Sequence, residues 1–209
     1  MTDLPLRYTM TVPSGQDGPL PLVVVLHGRG ADMKDLADLA PLLDGGYRFL
    51  FPNAPKAFEP MPGYSLGWTW FDGWPPTPPS IAESRRLLLE LIDAAVARFA
   101  PPPGKVVLGG FSQGALMSLD CGFRTRQPIA GIVVMSGALF EDELPPFKPL
   151  PVLIAHGTAD DVVPITAARR TRHVLEEHGV VPEYHELPIG HFVSPEEIEV
   201  VRDFLARVM

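Results

Sequence analysis

A serine with glycine two positions to either side is the part of this sequence best suited to covalent chemistry. Gly110, Ser112 and Gly114 form a G-x-S-x-G pattern between an apolar, β-branched run at 105–108 and a helical pattern of apolar residues. A serine hydroxyl is a weak nucleophile, and a sharp strand-to-helix turn presents it to a base. Close packing at that turn requires small residues two positions to either side. The pattern predicts that Ser112 is a nucleophile. The alternative interpretation is an ordinary glycine-rich turn with a helix-capping serine.

A nucleophilic serine needs a base to accept its proton. His191 lies in a loop that follows the last predicted strand, at 182–187. That position predicts that His191 is the base. The other histidines fit structural roles on helices, inside a strand or before a glycine at a strand end: His27, His156, His173, His178 and His185.

The base in turn needs a carboxylate to orient it. Two neighbouring aspartates, Asp160 and Asp161, follow a predicted strand at 151–155, between Ser112 and His191 in the chain. Adjacent loop residues point in different directions, so only one of the two should reach His191. The residues alone leave both open, and the acidic run at 141–143 is a weaker alternative that resembles a solvated charge cluster.

Two backbone N–H groups should stabilise the oxyanion that forms when a serine attacks a carbonyl. One belongs to Gln113, directly after the serine, where a helix also directs its positive dipole end at the site. The second is expected from the loop at 27–30, and Arg29 is its candidate donor. A phosphate-binding loop is the other interpretation of 27–30, but the chain has neither a GK[ST] ending nor G-x-G-x-x-G spacing there.

Predicted strands and helices alternate along the chain and set these residues at strand ends. Strands are predicted at 6–12, 21–26, 47–51, 105–108, 129–135, 151–155 and 182–187. Helices are predicted from an N-cap at Asp32 to Gly45-Gly46, after a cap at Ser80, after Ser112, at 165–178 and at 195–208 after a cap at Ser194. This order predicts an α/β fold: one domain over 1–209, with a mostly parallel sheet flanked by helices and ligands bound beyond the carboxyl ends of its strands.

Composition narrows the functional classes. The chain has 209 residues, is 46% hydrophobic and carries a formal net charge of −8, which argues against nucleic acid or an anionic membrane surface as a partner. The apolar run at 20–26 is too short to cross a bilayer, and the first ten residues lack a signal-peptide pattern. The single cysteine, Cys121, is consistent with a reducing cytoplasm. The 25 prolines fit either thermostability or a GC-rich genome.

Six stretches in order resemble the phospholipase/carboxylesterase family of α/β-hydrolases, which includes acyl-protein thioesterases and small bacterial carboxylesterases. They are LHGRGAD (26–32), FPNAP (51–55), WFD (70–72), GFSQGALM (110–117), HGTADDVVP (156–164) and GHFVSPEE (190–197). The resemblance implies an α/β-hydrolase fold. We expect no large lid domain, because no long insertion follows the predicted strand at 129–135. The resemblance also implies Ser112 as nucleophile, His191 as base, Asp160 as acid, backbone donors at Arg29 and Gln113, and no metal or organic cofactor.

The resemblance also assigns the segment at 53–79 to the substrate side of the site. Its apolar side chains could line an acyl pocket or could only anchor a long loop: Met61, Leu66, Trp68, Trp70, Phe71 and Trp74. The expected function is that of a cytoplasmic serine carboxylesterase, a monomer or homodimer acting on short- to medium-chain, small-molecule esters. The alternatives are an acyl-thioesterase or lysophospholipase of the same family, and a non-catalytic binding module.

Overall fold

The computed structural model describes residues 4–16, 18–43, 45–74 and 76–209. Residues 1–3, which belong to the N-terminal stretch considered for a signal peptide, and Pro75 of the 53–79 segment lie outside the described residues. The strands are β1 (Tyr8–Thr11), β2 (Leu22–Leu26), β3 (Arg48–Pro52), β4 (Lys56–Ala57), β5 (Trp68–Thr69), β6 (Val106–Phe111), β7 (Gly131–Met135), β8 (Val152–Gly157) and β9 (Glu183–Leu187). The α-helices are α1 (Ala40–Leu43), α2 (Pro78–Phe99), α3 (Gln113–Arg124), α4 (Ile165–Glu177) and α5 (Pro195–Val208), and short 3-10 helices cover Ala37–Leu39 and Glu141–Glu143.

The central sheet has the order β1-β3-β2-β6-β7-β8-β9 within the described ranges. Only the edge strand β1 runs antiparallel to its neighbour, and the other described pairs in this sheet are parallel. The parallel strands direct their carboxyl ends to one edge, where ligands bind in such sheets. The prediction of a mostly parallel sheet flanked by helices is therefore confirmed.

Each inner strand buries both of its faces, which explains its continuous apolar sequence. In β2, Leu22, Val24 and Leu26 pack in the cluster with α2 and α3, whereas Val23 and Val25 face the opposite cluster with α1 and α5. A third apolar cluster joins α3 and α4 to β7 and β8. The sheet therefore lies between two helical layers.

The predicted helix from Asp32 to Gly45-Gly46 is wrong in its extent. The described chain forms turns, then the 3-10 helix Ala37–Leu39 and the four residues of α1. Pro41 has no N–H to donate and its ring crowds the preceding turn, so a continuous helix cannot pass through it. The Asp32 carboxylate instead accepts a hydrogen bond from the Lys34 N–H at 2.7 Å.

The predicted cap of α2 is also displaced. Thr77 is the N-cap, and Ser80 lies in the first turn, where its hydroxyl accepts a hydrogen bond from the Thr77 N–H at 2.9 Å. Proline at the first two helical positions suits this start, because those positions have no N–H partner within the helix. Pro78 and Pro79, predicted from the sequence to lie in the segment before the helix, are therefore its first two residues.

The connection between β7 and β8 contains only the short 3-10 helix Glu141–Glu143 among its secondary-structure elements, so no large lid covers the sheet there. Two acidic residues of this 3-10 helix form ion pairs. Glu143 pairs with Arg85 and Arg124, and Glu141 pairs with Arg170. None of the described helices is long and apolar enough to span a bilayer.

Candidate active site

Ser112 lies on a strained turn at the carboxyl end of β6. Its φ is 55° and its ψ is −117°, a conformation that non-glycine residues rarely adopt. A side chain at Gly110 would collide with the backbone of Gly114, and one at Gly114 would collide with the carbonyl oxygen of Leu26. The two glycines of the motif therefore let β6, α3 and β2 approach closely enough to hold the serine in this turn.

His191 and Asp160 complete a hydrogen-bonded series with Ser112. His191 Nε2 lies 3.0 Å from Ser112 Oγ, and His191 Nδ1 lies 2.7 Å from Asp160 Oδ2. The Asp160 carboxylate accepts a hydrogen bond, so the neutral His191 ring carries its proton on Nδ1. Its Nε2 is then free to accept the serine proton. We call these three side chains the Ser112 triad.

The structure distinguishes between the two aspartates. Asp160 has a buried carboxylate whose Oδ1 accepts hydrogen bonds from the N–H groups of Val162 and Val163 at 2.9 and 2.8 Å. Burial by itself raises the pKa of Asp160, but the hydrogen bonds from His191 and these two amides outweigh it and lower the pKa overall. Asp161, in contrast, is exposed. Asp160 is therefore the carboxylate that contacts His191.

A second histidine supports the loop that carries Asp160. The side chain of His156 is fully buried, its Nε2 donates to the carbonyl oxygen of Val163 at 2.7 Å, and the same atom lies 3.5 Å from Asp160 Oδ2. Burial lowers the pKa of His156. This neutral side chain braces the loop, in agreement with the role predicted for it.

His27 has a similar bracing role at the end of β2. Its Nε2 accepts the Ala54 N–H at 3.0 Å, and its Nδ1 lies 2.7 Å from the carbonyl oxygen of Gly28. Burial lowers the pKa of this ring as well. His27 therefore ties the loop at 27–30 to the start of the substrate-side segment.

The two residues whose N–H groups are predicted to form an oxyanion hole both line the cavity over Ser112. Arg29 and Gln113 line a cavity of about 280 Å³ together with Ser112 and His191. The backbone N–H of Gln113 is the first of α3 and has no acceptor within the helix. Among the described residues, the Arg29 N–H donates to no other group. Both donors are thus available to a bound oxygen.

The side chain of Gln113 has a separate structural role. Its Oε1 accepts hydrogen bonds from the Thr69 hydroxyl at 3.0 Å and the Trp70 N–H at 2.9 Å, and its Nε2 donates to the Phe71 carbonyl oxygen at 2.8 Å. The side chain is almost entirely buried. These contacts attach the substrate-side segment to the turn that carries Ser112.

Five of the six residues considered for an acyl pocket do not line the cavity over Ser112, and Trp74 is the exception. Trp70 and Phe71 have no exposed surface and belong to the apolar core, so they anchor the segment instead. Trp68 pairs with Ala31 through its backbone, and Met61 and Leu66 are exposed on the outer part of the segment.

Other apolar side chains form the wall of the cavity. They are Trp74, Phe111, Val162 and Val163. Of these four residues, Trp74 alone was a candidate on the basis of the sequence. Phe111 could have been found from the sequence, because it directly precedes Ser112 in the serine motif. In the structure, its ring lies 4.7 Å from that of His191.

A buried carboxyl group lies near this site. Glu197, in the first turn of α5, is completely buried, and neither of its carboxyl oxygens has a hydrogen-bond partner among the described residues. Burial, reinforced by the charge of Asp160, raises the pKa of Glu197 to about 8. In the described ranges, no group of three or more His, Cys, Asp or Glu side chains is arranged to hold a metal ion.

Comparison with known proteins shows a consistent relationship. Residues 8–209 match the family model described as Phospholipase/Carboxylesterase. The chain is 26% identical to acyl-protein thioesterase 1 homolog 1 of Dictyostelium discoideum over 90% of each protein. It is 29% identical to acyl-protein thioesterase 1 of Mycosarcoma maydis over 91% of this chain and 92% of that protein.

Solved structures agree with this assignment. The crystal structure of esterase PE8 superposes with a TM-score of 0.85 and 27% identity over 98% of this chain and 99% of that chain. A carboxylesterase from Mesorhizobium loti has a TM-score of 0.82 over 99% of this chain and 97% of that one, and at 20% identity it shows the fold alone. The predicted α/β-hydrolase fold is confirmed, and the chain belongs to the phospholipase/carboxylesterase family, a family of ester hydrolases.

Proposed function

We propose that this protein is a serine carboxylesterase acting on short- to medium-chain esters through an acyl-enzyme on Ser112. The observation that supports it most is the hydrogen-bonded series from Ser112 Oγ through His191 to the buried carboxylate of Asp160, at 3.0 and 2.7 Å. Such a series is the arrangement that activates a serine hydroxyl for attack on a carbonyl.

In the proposed reaction, His191 Nε2 takes the Ser112 proton while Oγ attacks the ester carbonyl. The N–H groups of Arg29 and Gln113 stabilise the oxyanion, and His191 then gives the proton to the leaving alkoxide. A water molecule, activated by His191, attacks the acyl-enzyme and releases the carboxylic acid. Asp160 keeps the ring in the required tautomer and stabilises the imidazolium that forms in each half-reaction.

The size of the cavity supports small acyl groups. Its volume is about 280 Å³. This volume lies just below the roughly 300–1,000 Å³ typical of small-molecule sites, which suits a short- to medium-chain acyl group. The apolar side chains of Phe111, Val162 and Val163 suit an aliphatic acyl group.

The test is hydrolysis of 4-nitrophenyl esters from acetate to palmitate, with Ser112→Ala as the control. We expect turnover that peaks at a short or medium chain, and a loss of at least about 10⁴-fold in kcat in the variant, because a triad acts as a unit. Near-normal turnover by Ser112→Ala would contradict the mechanism. Turnover that rises steadily to palmitate would contradict the chain-length proposal.

An acyl-thioesterase is the second candidate, because two similar proteins are named acyl-protein thioesterase 1 or its homolog. Matched oxygen and thio esters of the same acid separate the two functions. A thioester preference well above the difference in intrinsic reactivity would favour this candidate. A lysophospholipase is tested in the same way with a lysophosphatidylcholine substrate.

A non-catalytic binding module is the third interpretation. A fluorophosphonate probe should label the folded protein at Ser112 if the serine is activated, and a folded protein that is not labelled would favour the binding module. We also propose a cytoplasmic location, because the single thiol, Cys121, is free and buried.

A further inference from the structure

The lining of the cavity over Ser112 has an uneven charge distribution. The described lining residues are apolar or uncharged apart from Arg29 and the titratable ring of His191. The carboxylate of Asp160 has no exposed surface, so no acidic side chain among them faces the cavity. Among the described lining residues, Arg29 is thus the one with a permanent charge.

Arg29 has spare hydrogen-bonding capacity. Its Nη2 donates to the carbonyl oxygen of Gly73 at 2.8 Å, and its guanidinium carbon lies 5.8 Å from the centre of the Phe58 ring. These contacts hold the side chain in place but use only part of its five N–H donors. Within the described ranges, no carboxylate forms an ion pair with Arg29, whose side chain is exposed.

Two acidic residues of a neighbouring cleft form no ion pair with this cation. Arg29 also lines a second cleft, which contains Asp72 and Glu59. Asp72 pairs with Lys56 at 3.2 Å, and Glu59 forms no ion pair with Arg29. The Arg29 guanidinium therefore keeps N–H donors that no described carboxylate occupies, at the boundary between the two clefts that Arg29 lines.

We propose that the Arg29 side chain binds an anionic group of the substrate, so that the preferred esters carry a carboxylate or phosphate close to the scissile bond. This inference rests on the proposed esterase function. It assigns the side chain a role separate from that of its backbone N–H. Since the whole chain carries a net charge of −8, attraction of an anion has to come from this local contact and not from the overall field.

The experiment compares esters with and without a negative charge. One pair carries the charge on the acid side: the 4-nitrophenyl monoester of adipic acid against 4-nitrophenyl hexanoate. A second pair carries it on the alcohol side: 4-carboxyphenyl butyrate against the butyrate of methyl 4-hydroxybenzoate. The readout is the ratio of kcat/KM for the charged and the neutral ester, measured for the wild type and for Arg29→Gln.

Taking the ratio between wild type and variant cancels differences in leaving group and any general effect on the oxyanion hole. We expect the charged-to-neutral ratio to fall about 10-fold in Arg29→Gln for at least one pair, because a charge-assisted hydrogen bond is lost. Arg29→Lys should retain part of the preference. High salt should reduce it in the wild type, because the guanidinium is exposed.

Arg86→Gln is the matched control, because it removes the same charge from an exposed arginine on α2 that pairs with Glu90. Its ratio should equal that of the wild type. The inference is overturned if the Arg29→Gln ratio is unchanged for both pairs, or if Arg86→Gln lowers it equally. In either case, Ser112-dependent hydrolysis of the neutral esters would leave the esterase proposal standing. If folded protein hydrolyses none of the four esters, the esterase proposal fails and this inference fails with it.

Discussion

The Ser112 triad and the substrate-side segment meet at the same cavity but are held in different ways. The triad residues lie in turns directly after β6, β8 and β9, and their backbone positions follow from parallel strands in register. In its described residues, the segment between β3 and α2 has the two-residue strands β4 and β5 as its only regular elements, and it depends on side chains for its position. Trp70 and the contacts of Gln113 hold its inner end, whereas Tyr64 and Trp74 are exposed.

This difference separates chemistry from selectivity. Strand ends are rigid, so they suit groups that must keep hydrogen-bond geometry during a reaction. A segment anchored at a few points can change its outer residues at little cost to the core. We therefore expect substitutions in the first region to affect rate for all substrates, and those on the outer part of the second to affect substrate choice.

The largest expected effect tests the first region. Asp160→Asn should lower kcat for 4-nitrophenyl butyrate by about 10³–10⁴-fold, because an amide no longer fixes the tautomer of His191. Asp161→Asn is the matched control and should stay within about threefold of the wild type, since its side chain is exposed. If Asp161→Asn lowers kcat more than Asp160→Asn, then Asp161 is the carboxylate that orients His191, and the assignment of Asp160 to the triad is wrong.

The next effect tests the anchoring of the substrate-side segment. Trp70→Ala should destabilise the protein by about 3–5 kcal/mol, because a fully buried indole leaves a cavity and its Nε1 bond to the His27 carbonyl oxygen is lost. Thermal unfolding should show a Tm lower by roughly 6–20 °C. Trp74→Ala removes a half-exposed side chain at the cavity and should instead change the acyl-length profile of kcat/KM with little change in Tm.

Tyr64→Ala provides the control for the exposed part of the segment, because Tyr64 is similarly exposed but does not line the cavity. It should change neither Tm nor the acyl-length profile appreciably. A Trp74→Ala variant that loses as much stability as Trp70→Ala would show that the inner and outer residues of the segment are not held differently.

The smallest effect concerns the buried carboxyl group behind the first region. The pKa of Glu197 is raised to about 8, so the folded state binds more protons than the unfolded state from about pH 4.5 to pH 8. The contribution of this group to the free energy of unfolding is therefore most favourable below about pH 4.5, and it is lost progressively as the pH rises to about 8. Glu197→Gln removes the ionisable group and should gain about 2–4 kcal/mol over the wild type at pH 8.5, with little difference at pH 4.5.

Chemical denaturation at the two pH values measures this gain. Glu196→Gln is the matched control, because Glu196 lies in the same turn of α5 and is exposed. It should leave the pH dependence nearly unchanged. Equal stability of Glu197→Gln and the wild type at pH 8.5 would show that Glu197 does not remain protonated in the folded protein.

The sequence by itself determined the sheet and the serine turn. Continuous apolar runs at β2, β6 and β7 require burial on both faces, and the glycines at 110 and 114 are the only residues that fit where β6 meets α3 and β2. These features depend on local pattern and on near neighbours in the chain. The order of Ser112, an aspartate after β8 and His191 after β9 was readable for the same reason.

Other features depended on contacts between distant parts of the chain. Only the packing of the loop after β8 turns Asp160 inward to His191 and leaves Asp161 exposed, since the two residues are chemically the same. The tryptophans at 70 and 74 have similar sequence signatures, yet Trp70 is buried in the apolar core whereas Trp74 is half-exposed and lines the cavity. The burial of Glu197 likewise could not be predicted from the sequence, because other glutamates lie beside it in the same part of α5. Residue type sets what a side chain can do, and tertiary packing decides which of two equal candidates does it.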